Sequence, residues 1–264
     1  DLVLPNMLVM GYLTEDQYAT EKARPLNVIS KPTLGPARFP DFLDIVRRQL
    51  RTDYQETDLT NQGLRIFTTL DPLAQTRIQE SFKDTVARLS KSNPGRLKDL
   101  QGAVLVAHPE NGELVAAVGS TQDFTGFNRT VDAKRQVGSL LKPVIFLTAL
   151  ESNRYNWASP IEDSEISIKS DGKTWTPKNY SGRGHGMVPM IQALSQSYNL
   201  STVRLGQEFG LSTFINHLKQ FGVTSNIPSY PSIYLGAVDM SPMEVMNIYG
   251  NFATGGFRYP VKAI

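Results

Sequence analysis

The chain has 264 residues, 40% of them hydrophobic and 20% charged, with 27 basic against 25 acidic side chains and no cysteine. That length suits one large domain or two small ones, and the balance is an ordinary globular one. A net charge of +2 gives no argument for nucleic-acid binding, and the missing thiols exclude cysteine nucleophiles, disulfides and thiolate metal sites.

The first thirty or so residues read as helical. Thr14 and Gln17 in LTEDQY form a capping box, with Leu13 as a staple. The opening DLVLPNMLVMGYL starts in the manner of a helix interior and reads as that of a fragment or processed form. It has neither the basic nor the apolar segment of a secretion signal. No stretch of the chain approaches the ~18 consecutive apolar residues of a spanning helix. RPLNVISKPTLGPARFP is an extended, proline-rich connector. Phe42, Ile45, Val46 and Leu50 then recur at helical spacing, with Arg47, Arg48 and Arg51 on a solvated face.

GLRIFTTLD, from Gly63 to Asp71, has the β-branched and aromatic content of a strand. Asp71-Pro72 starts a helix with a cap and a first-turn proline, and that helix fades at SKSNPGR. GAVLVAHPENGELVAAVG is two apolar runs around Asn111-Gly112, which predicts a hairpin. Its runs are apolar on both faces, so helices are expected to cover it.

The segment from Ser159 to Gly186 is polar and glycine-rich, with one short strand predicted at EISIK. Helices resume at MVPMIQALSQS and STVRLGQEFG, the second ending at Gly210. SPMEVMNIYGNFATGG is an amphipathic helix with Ser241, Pro242 and Glu244 at its start and Gly255 at its end. Met243, Met246, Ile248 and Phe252 are core positions.

Between the hairpin and the polar segment stands RQVGSLLKPVIFLTALES. Residues three apart share a helix face, so Ser139 and Lys142 are neighbours at the mouth of an apolar helix. The unpaired N–H groups and the positive dipole end there favour the oxyanion of an attacked carbonyl. Lys142 can take the serine proton only when neutral. At an unperturbed pKa about one lysine in 2,500 is neutral at pH 7, a cost of roughly 4.6 kcal/mol. Burial among Leu140, Leu141, Val144 and Ile145 would lower it. A second Ser-x-x-Lys, Ser170 to Lys173, sits in a polar turn with no apolar helix behind it. Ser197-Tyr198-Asn199 lies in a turn between two helices, which can aim polar side chains into a cleft. The plainer alternative is that Asn199 or Ser201 caps the next helix. Tyr198 either walls the cleft or packs. His108, His185 and His217 share no metal spacing.

These motifs are marks of penicillin-binding proteins and class A β-lactamases. With the text around them (GLRIFTTLDPLAQ, FTGFNRTVDAKRQVGSLLKPVIFLTALE, SQSYNLSTVRLG and YLGAVDMSPMEVMNIYGNFATGG) the chain resembles the bifunctional class A penicillin-binding proteins of the 1B type over nearly its whole length. The resemblance implies an α+β fold, the penicillin-binding-protein/serine β-lactamase-like transpeptidase fold with an antiparallel sheet flanked by helices. It places the C-terminal tail of a glycosyltransferase domain at residues 1–30, an interdomain linker at 31–98 and the first part of the transpeptidase domain at 99–264.

The implied activity is D,D-transpeptidation of peptidoglycan. Ser139 would be the nucleophile and Lys142 its base. Ser197 would pass a proton to the departing D-alanine, and Asn199 would hold Lys142 and the substrate amide, with Tyr198 beside the substrate. No metal or organic cofactor is implied. Implied partners are stem peptides, β-lactams and, for a parent protein that is also a glycosyltransferase, a lipid-linked glycan precursor. An outer-membrane lipoprotein activator and divisome or elongasome proteins would join them. The implied location is the periplasmic face of a bacterial inner membrane, with the single anchor outside this stretch.

One departure stands out. The family's Lys-Thr-Gly is missing, since Lys173-Thr174 is followed by Trp175. The chain is therefore expected to hold an incomplete transpeptidase fold that cannot acylate alone. Two rivals remain: a serine β-lactamase, for which neither Glu208 nor Glu244 is a convincing water-activating base, and a non-catalytic module that binds a peptidoglycan peptide or a partner protein.

Overall fold

The computed structural model describes residues 2–25, 38–61, 63–121, 124, 126–170 and 172–264. The chain divides into two compact units, Asp1–Arg38 and Phe39–Ile264. In the first, α1 (Val3–Val9) contacts α2 (Glu15–Ala23). The capping box forms as the sequence predicts: Thr14 N–H donates to Gln17 Oε1 (2.9 Å) and Gln17 N–H to Thr14 Oγ1 (3.3 Å). Most of the proline-rich connector, residues 26–37, lies outside the described residues. Among the described residues no helix is long and apolar enough to cross a membrane.

The second unit has two cores. One is built on α3 (Pro40–Asp53), whose Phe42, Ile45, Val46 and Leu50 are buried against strand β2 (Leu114–Val118). The hairpin pairs β1 (Val104–Ala107) with β2 (Leu114–Val118) antiparallel, Val104 opposite Val118. Gly112 takes φ +73°, and a Cβ there would overlap the Pro260 carbonyl, so the turn requires glycine. α4 (Glu56–Asn61) and α5 (Pro72–Ser92) precede it, and Asp71 caps α5 by accepting from Leu73 N–H and Ala74 N–H. Residues 39–98, placed in a linker by the sequence, thus share a compact unit with the hairpin. Helical cover is complete only over β2; Val106 on β1 is exposed.

The strand expected over Gly63–Asp71 does not form. That segment is irregular, Gly63 takes φ +60°, and Leu64, Ile66 and Phe67 are exposed. Only its end reaches β2, through Thr69 Oγ–H to Leu114 O (2.6 Å) and Asp71 N–H, and Lys262 and Gln75 take the positions on either side. Leu114 N–H donates to Lys262 O (2.7 Å), Asp71 N–H to Val115 O (3.1 Å), and the buried Gln75 side chain bonds both the N–H and the C=O of Ala117 (2.8 and 2.9 Å). Arg47, Arg48 and Arg51 are exposed as expected, and Arg48 also bridges Asp44 and Asp132 at 2.8 Å each.

The other core surrounds α6 (Lys142–Glu151), apolar almost all round and therefore buried. Against it lie α7 (Met190–Ser195), α8 (Asn199–Phe209) and α9 (Leu211–Gln220). Ser159–Gly186 holds more order than predicted. β4 (Pro160–Asp163) pairs antiparallel with β7 (Gly186–Pro189), and β5 (Ile168–Ser170) with β6 (Lys173–Trp175). The second Ser-x-x-Lys spans the turn of this last pair. Arg135–Gln136 (β3) pairs with Asp239–Met240 (β8). The chain's last helix, α10 (Pro242–Ala253), opens with the predicted Ser241–Glu244 capping box; Ile248 is fully buried, while Met243, Met246 and Phe252 are partly buried. The architecture is α+β, with small antiparallel sheets among helices.

Candidate active site

The chain reaches α6 through a 3₁₀ turn, Gly138–Leu141, which carries Ser139. The β3–β8 ladder continues into this turn: Val137 N–H donates to Val238 O (3.2 Å) and Gly138 N–H to Gly236 O (3.1 Å). Gly236 has φ +76°, and a Cβ on it would overlap the Gly138 carbonyl. The strand thus clamps the turn at a distance that only glycine allows.

Ser139 is exposed, and Lys142 is 1% exposed. Lys142 N–H donates to Ser139 O, and side chains three apart in a 3₁₀ turn eclipse, which puts the two on one face. Leu141, Val144 and Ile145 supply the dry surroundings the sequence suggests. Leu140 does not: it is 45% exposed, because the tighter turn rotates it outward to line a groove of about 830 Å³ beside Gln136, Val137 and Val245.

Lys142 Nζ donates to Ser197 O (2.6 Å), Ser197 Oγ (3.0 Å) and Asn199 Oδ1 (2.6 Å). Among the described residues none of its bonds goes to Ser139. Burial lowers its pKa to about 8, opposed by the negative charge of Asp163. Roughly one lysine in ten is then neutral at pH 7, against one in ~2,500 in water.

Ser197 sits between α7 and α8 at φ +56°, a strained value for a residue with a Cβ. Its N–H donates to Leu194 O and that of Tyr198 to Ala193 O, both 2.9 Å, which winds the turn tightly. Asn199 opens α8 without capping it. Its Oδ1 meets Lys142 and its Nδ2 donates to Lys178 O (2.8 Å). Ser201 does not cap either; its hydroxyl donates to Asp163 (2.7 Å). Asn179 does that work from a distant loop, its Oδ1 accepting from Asn199 N–H (2.7 Å) and Leu200 N–H (3.2 Å). Tyr198 stacks on His185, ring centres 4.1 Å apart and planes 9° off parallel.

Asp163, Asn179 and His185 therefore adjoin the site, and the sequence motifs named neither Asp163 nor Asn179. Asp163 is fully buried at the end of β4. Its Oδ1 accepts from Ser201 N–H (3.0 Å) and Oγ–H, and its Oδ2 from Asn179 Nδ2 (2.7 Å), His185 N–H (3.1 Å) and His185 Nδ1 (2.7 Å). Burial alone would raise its pKa, but the Ser201, His185 and Asn179 bonds outweigh it and hold the carboxyl below its usual range. An ionised carboxylate only accepts, so the His185 proton lies on Nδ1. No third metal-type ligand joins this pair among the described residues. The one sequence-level signal was the alternation in PIED, which turns Asp163 to the same buried face as Ile161.

A family profile described as the penicillin binding protein transpeptidase domain matches residues 102–264. Penicillin-binding protein 1B of Vibrio cholerae is 35% identical over the whole chain, and that of Escherichia coli 32%. The chain spans about a third of the length of these relatives (34% and 32%). Penicillin-binding protein 1A from Haemophilus influenzae shares the fold at a TM-score of 0.73 over 100% of this chain and 54% of that one, at 21% identity. PonA1 from Mycobacterium tuberculosis, solved in complex with penicillin V, aligns over 86% of this chain and 62% of that one, with a TM-score of 0.69 and 26% identity. The matched profile runs through Ser139, Lys142, Ser197 and Asn199, and the chain belongs to the penicillin-binding protein transpeptidase family.

Proposed function

We propose that this chain carries the nucleophile-bearing part of a peptidoglycan D,D-transpeptidase. Ser139 Oγ attacks the carbonyl carbon of the D-Ala-D-Ala bond, and its proton passes to Lys142 Nζ. The C–N bond breaks, the leaving D-alanine amine takes that proton through Ser197 Oγ, and an acyl-enzyme ester remains on Ser139. The amine of a second stem peptide attacks the ester, and Ser139 recovers its proton as the cross-link forms. β-Lactams acylate the same oxygen.

The observation that carries this reading is the setting of the Lys142 amine. Ser197 O and Asn199 Oδ1 only accept hydrogen bonds, so they retain the two N–H bonds of a neutral amine. Its lone pair takes the third direction, held by the Ser197 hydroxyl at 3.0 Å here and open to Ser139, on the same face of the turn, once substrate draws that hydroxyl toward the leaving amine. A base and a proton relay follow from one side chain held by one turn. The missing Ser139–Lys142 hydrogen bond does not oppose this, since catalytic bonds commonly tighten only when substrate binds.

For the whole protein we extend the proposal to glycosyltransferase activity on a lipid-linked glycan precursor, a place at the periplasmic face of the inner membrane, and control by an outer-membrane lipoprotein and by divisome or elongasome proteins. The likeness to the 1B type supports these points. Residues 1–30, 31–98 and 99–264 are then the glycosyltransferase tail, the linker and the start of the transpeptidase domain, and acylation needs the family's third motif as well.

The test is mass spectrometry of the full-length protein after penicillin treatment, with the modified residue mapped. A stable adduct on Ser139, absent in Ser139→Ala, is expected. Release of the adduct within seconds would favour a β-lactamase, and no adduct a binding module. Glu208 is held by Arg154 (2.9 Å) and Glu244 by Ser241 and Ser225, so neither is free to activate water.

A further inference from the structure

We propose that Asp163 is a positioning residue for acylation, a buried carboxylate that fixes the Ser197–Tyr198–Asn199 turn against Lys142 through Ser201, Asn179 and His185. The proposal rests on the transpeptidase reading and goes beyond it in naming what holds the site in shape. Three branches leave the one carboxylate. The first runs through Ser201 N–H and Oγ to the first turn of α8. The second runs through Asn179, whose amide donates to Asp163 and whose carbonyl binds the Asn199 and Leu200 N–H groups. The third runs through His185, whose ring lies flat on Tyr198. Of the residues that contact Lys142, Asn199 opens a helix whose first N–H donors are held from β4 and the loops after it, and Ser197 lies in the turn that leads into that helix. Tyr198, at the N-cap position, gives α8 no side-chain bond. Without these branches the strained Ser197 conformation has little to oppose its relaxation.

Fully used hydrogen bonds also explain why a buried carboxylate is tolerated here. All its strong partners are neutral donors or His185, so the negative charge is solvated by the protein rather than cancelled by a lysine or arginine. That charge therefore acts at a distance on Lys142, the cation nearest in function. Around Lys142, Asp163 is the ionised group that affects it. His185 bonds Asp163, and His217 on α9 faces Thr148 and Glu151 farther along α6. Tyr234, buried in the same core, is held neutral, with a pKa pushed up by burial to about 12.

Two variants separate position from charge. Asp163→Asn keeps the side-chain size, removes the charge and turns one acceptor into a donor that faces donors. Asn179→Ala keeps the charge and cuts the branch to α8. In the full-length protein, both are expected to slow Ser139 labelling by a fluorescent penicillin roughly tenfold or more. Circular dichroism and thermal melts check the fold. In the 264-residue chain, ¹³C NMR of labelled lysine side chains follows Lys142 directly. Its titration midpoint is expected to fall in Asp163→Asn and to stay in place in Asn179→Ala. A loss of packing alone would not produce that contrast. Labelling rates within twofold of the unsubstituted protein in both variants, or an unmoved Lys142 midpoint in Asp163→Asn, overturn the proposal while leaving the transpeptidase reading intact. An unsubstituted protein that takes no label on Ser139 overturns both.

Discussion

Lys142 Nζ and Asn199 Oδ1 lie 2.6 Å apart, at the short end for a hydrogen bond from an ammonium group. Lys142 begins one helix and Asn199 begins another, so this contact joins the starts of α6 and α8 inside the larger core. Both lie close to Ser197, which meets the amine with its carbonyl and its hydroxyl. A cation deprived of water is thereby given three oxygens, while burial still favours its neutral form.

Removing Asn199 tests that arrangement. Asn199→Ala leaves Lys142 with two partners and frees the Lys178 carbonyl. Acylation of Ser139 is expected to fall on the order of 100-fold. The thermal midpoint should fall less than a core truncation would cause. Stopped-flow acylation by a chromogenic cephalosporin and a melt of the same sample measure the two effects.

The relay through Ser197 has its own signature. Ser197→Ala keeps the carbonyl contact to Lys142 and removes the hydroxyl. The loss, of order 10²–10⁴-fold, is expected to be largest with substrates whose leaving amine must be protonated to depart. A thioester has a leaving group that needs no such proton, so comparing amide and thioester donors checks the step. Equal losses on the two donors would contradict it.

Gly236 sets the height of the nucleophile. Gly236→Ala places a methyl group against the Gly138 carbonyl at a positive φ, which is expected to cost about 2 kcal/mol or more. Because the strain falls on the turn carrying Ser139, the acylation rate should drop by more than the loss of folded protein explains. Denaturant titration alongside labelling separates the two.

Glu244 makes acid stability the next test. Burial would raise its pKa, but bonds from Ser241, Ser225 and Thr224 outweigh this and lower it to about 2 from an ordinary 4.5. A depressed carboxyl stabilises the fold above its unfolded pKa, and the gain is lost as pH falls from about 4.5 toward 2. The gain is on the order of 3 kcal/mol. Urea titrations of Glu244→Gln should show lower stability at pH 7 and a flatter slope below pH 4.5.

Local signals in the sequence were reliable where the chemistry is local. Thr14 with Gln17, Asp71 with Pro72, and Ser241 with Glu244 each mark a helix start that forms. Asn111-Gly112 marks the hairpin. The misses share one cause, partners far along the chain. Gly63–Asp71 has strand-like residues, but only Thr69 and Asp71 at its end reach β2, and Gln75 and Lys262 occupy the positions on either side. Of the four strands between Pro160 and Pro189 only β5 was legible, at EISIK; the others are short and pair across loops, so no single stretch shows them. At the site, the spacing of Ser139 and Lys142 and the Ser197–Asn199 turn were legible, and their meeting through Lys142 is observed. Asn179 was not legible, and of Asp163 only its burial was, through the alternation in PIED, because nothing local marks a side chain that holds a helix start from another loop.

The pH dependence of Ser139 acylation tests the central claim most directly. In the full-length protein, the second-order rate with benzylpenicillin, followed by mass spectrometry from pH 5.5 to 9.5, is expected to rise as Lys142 loses its proton. It should level above a pKa near the value of about 8 that burial gives this lysine. Acylation that is independent of pH across that range, or an adduct on a residue other than Ser139, would contradict the account.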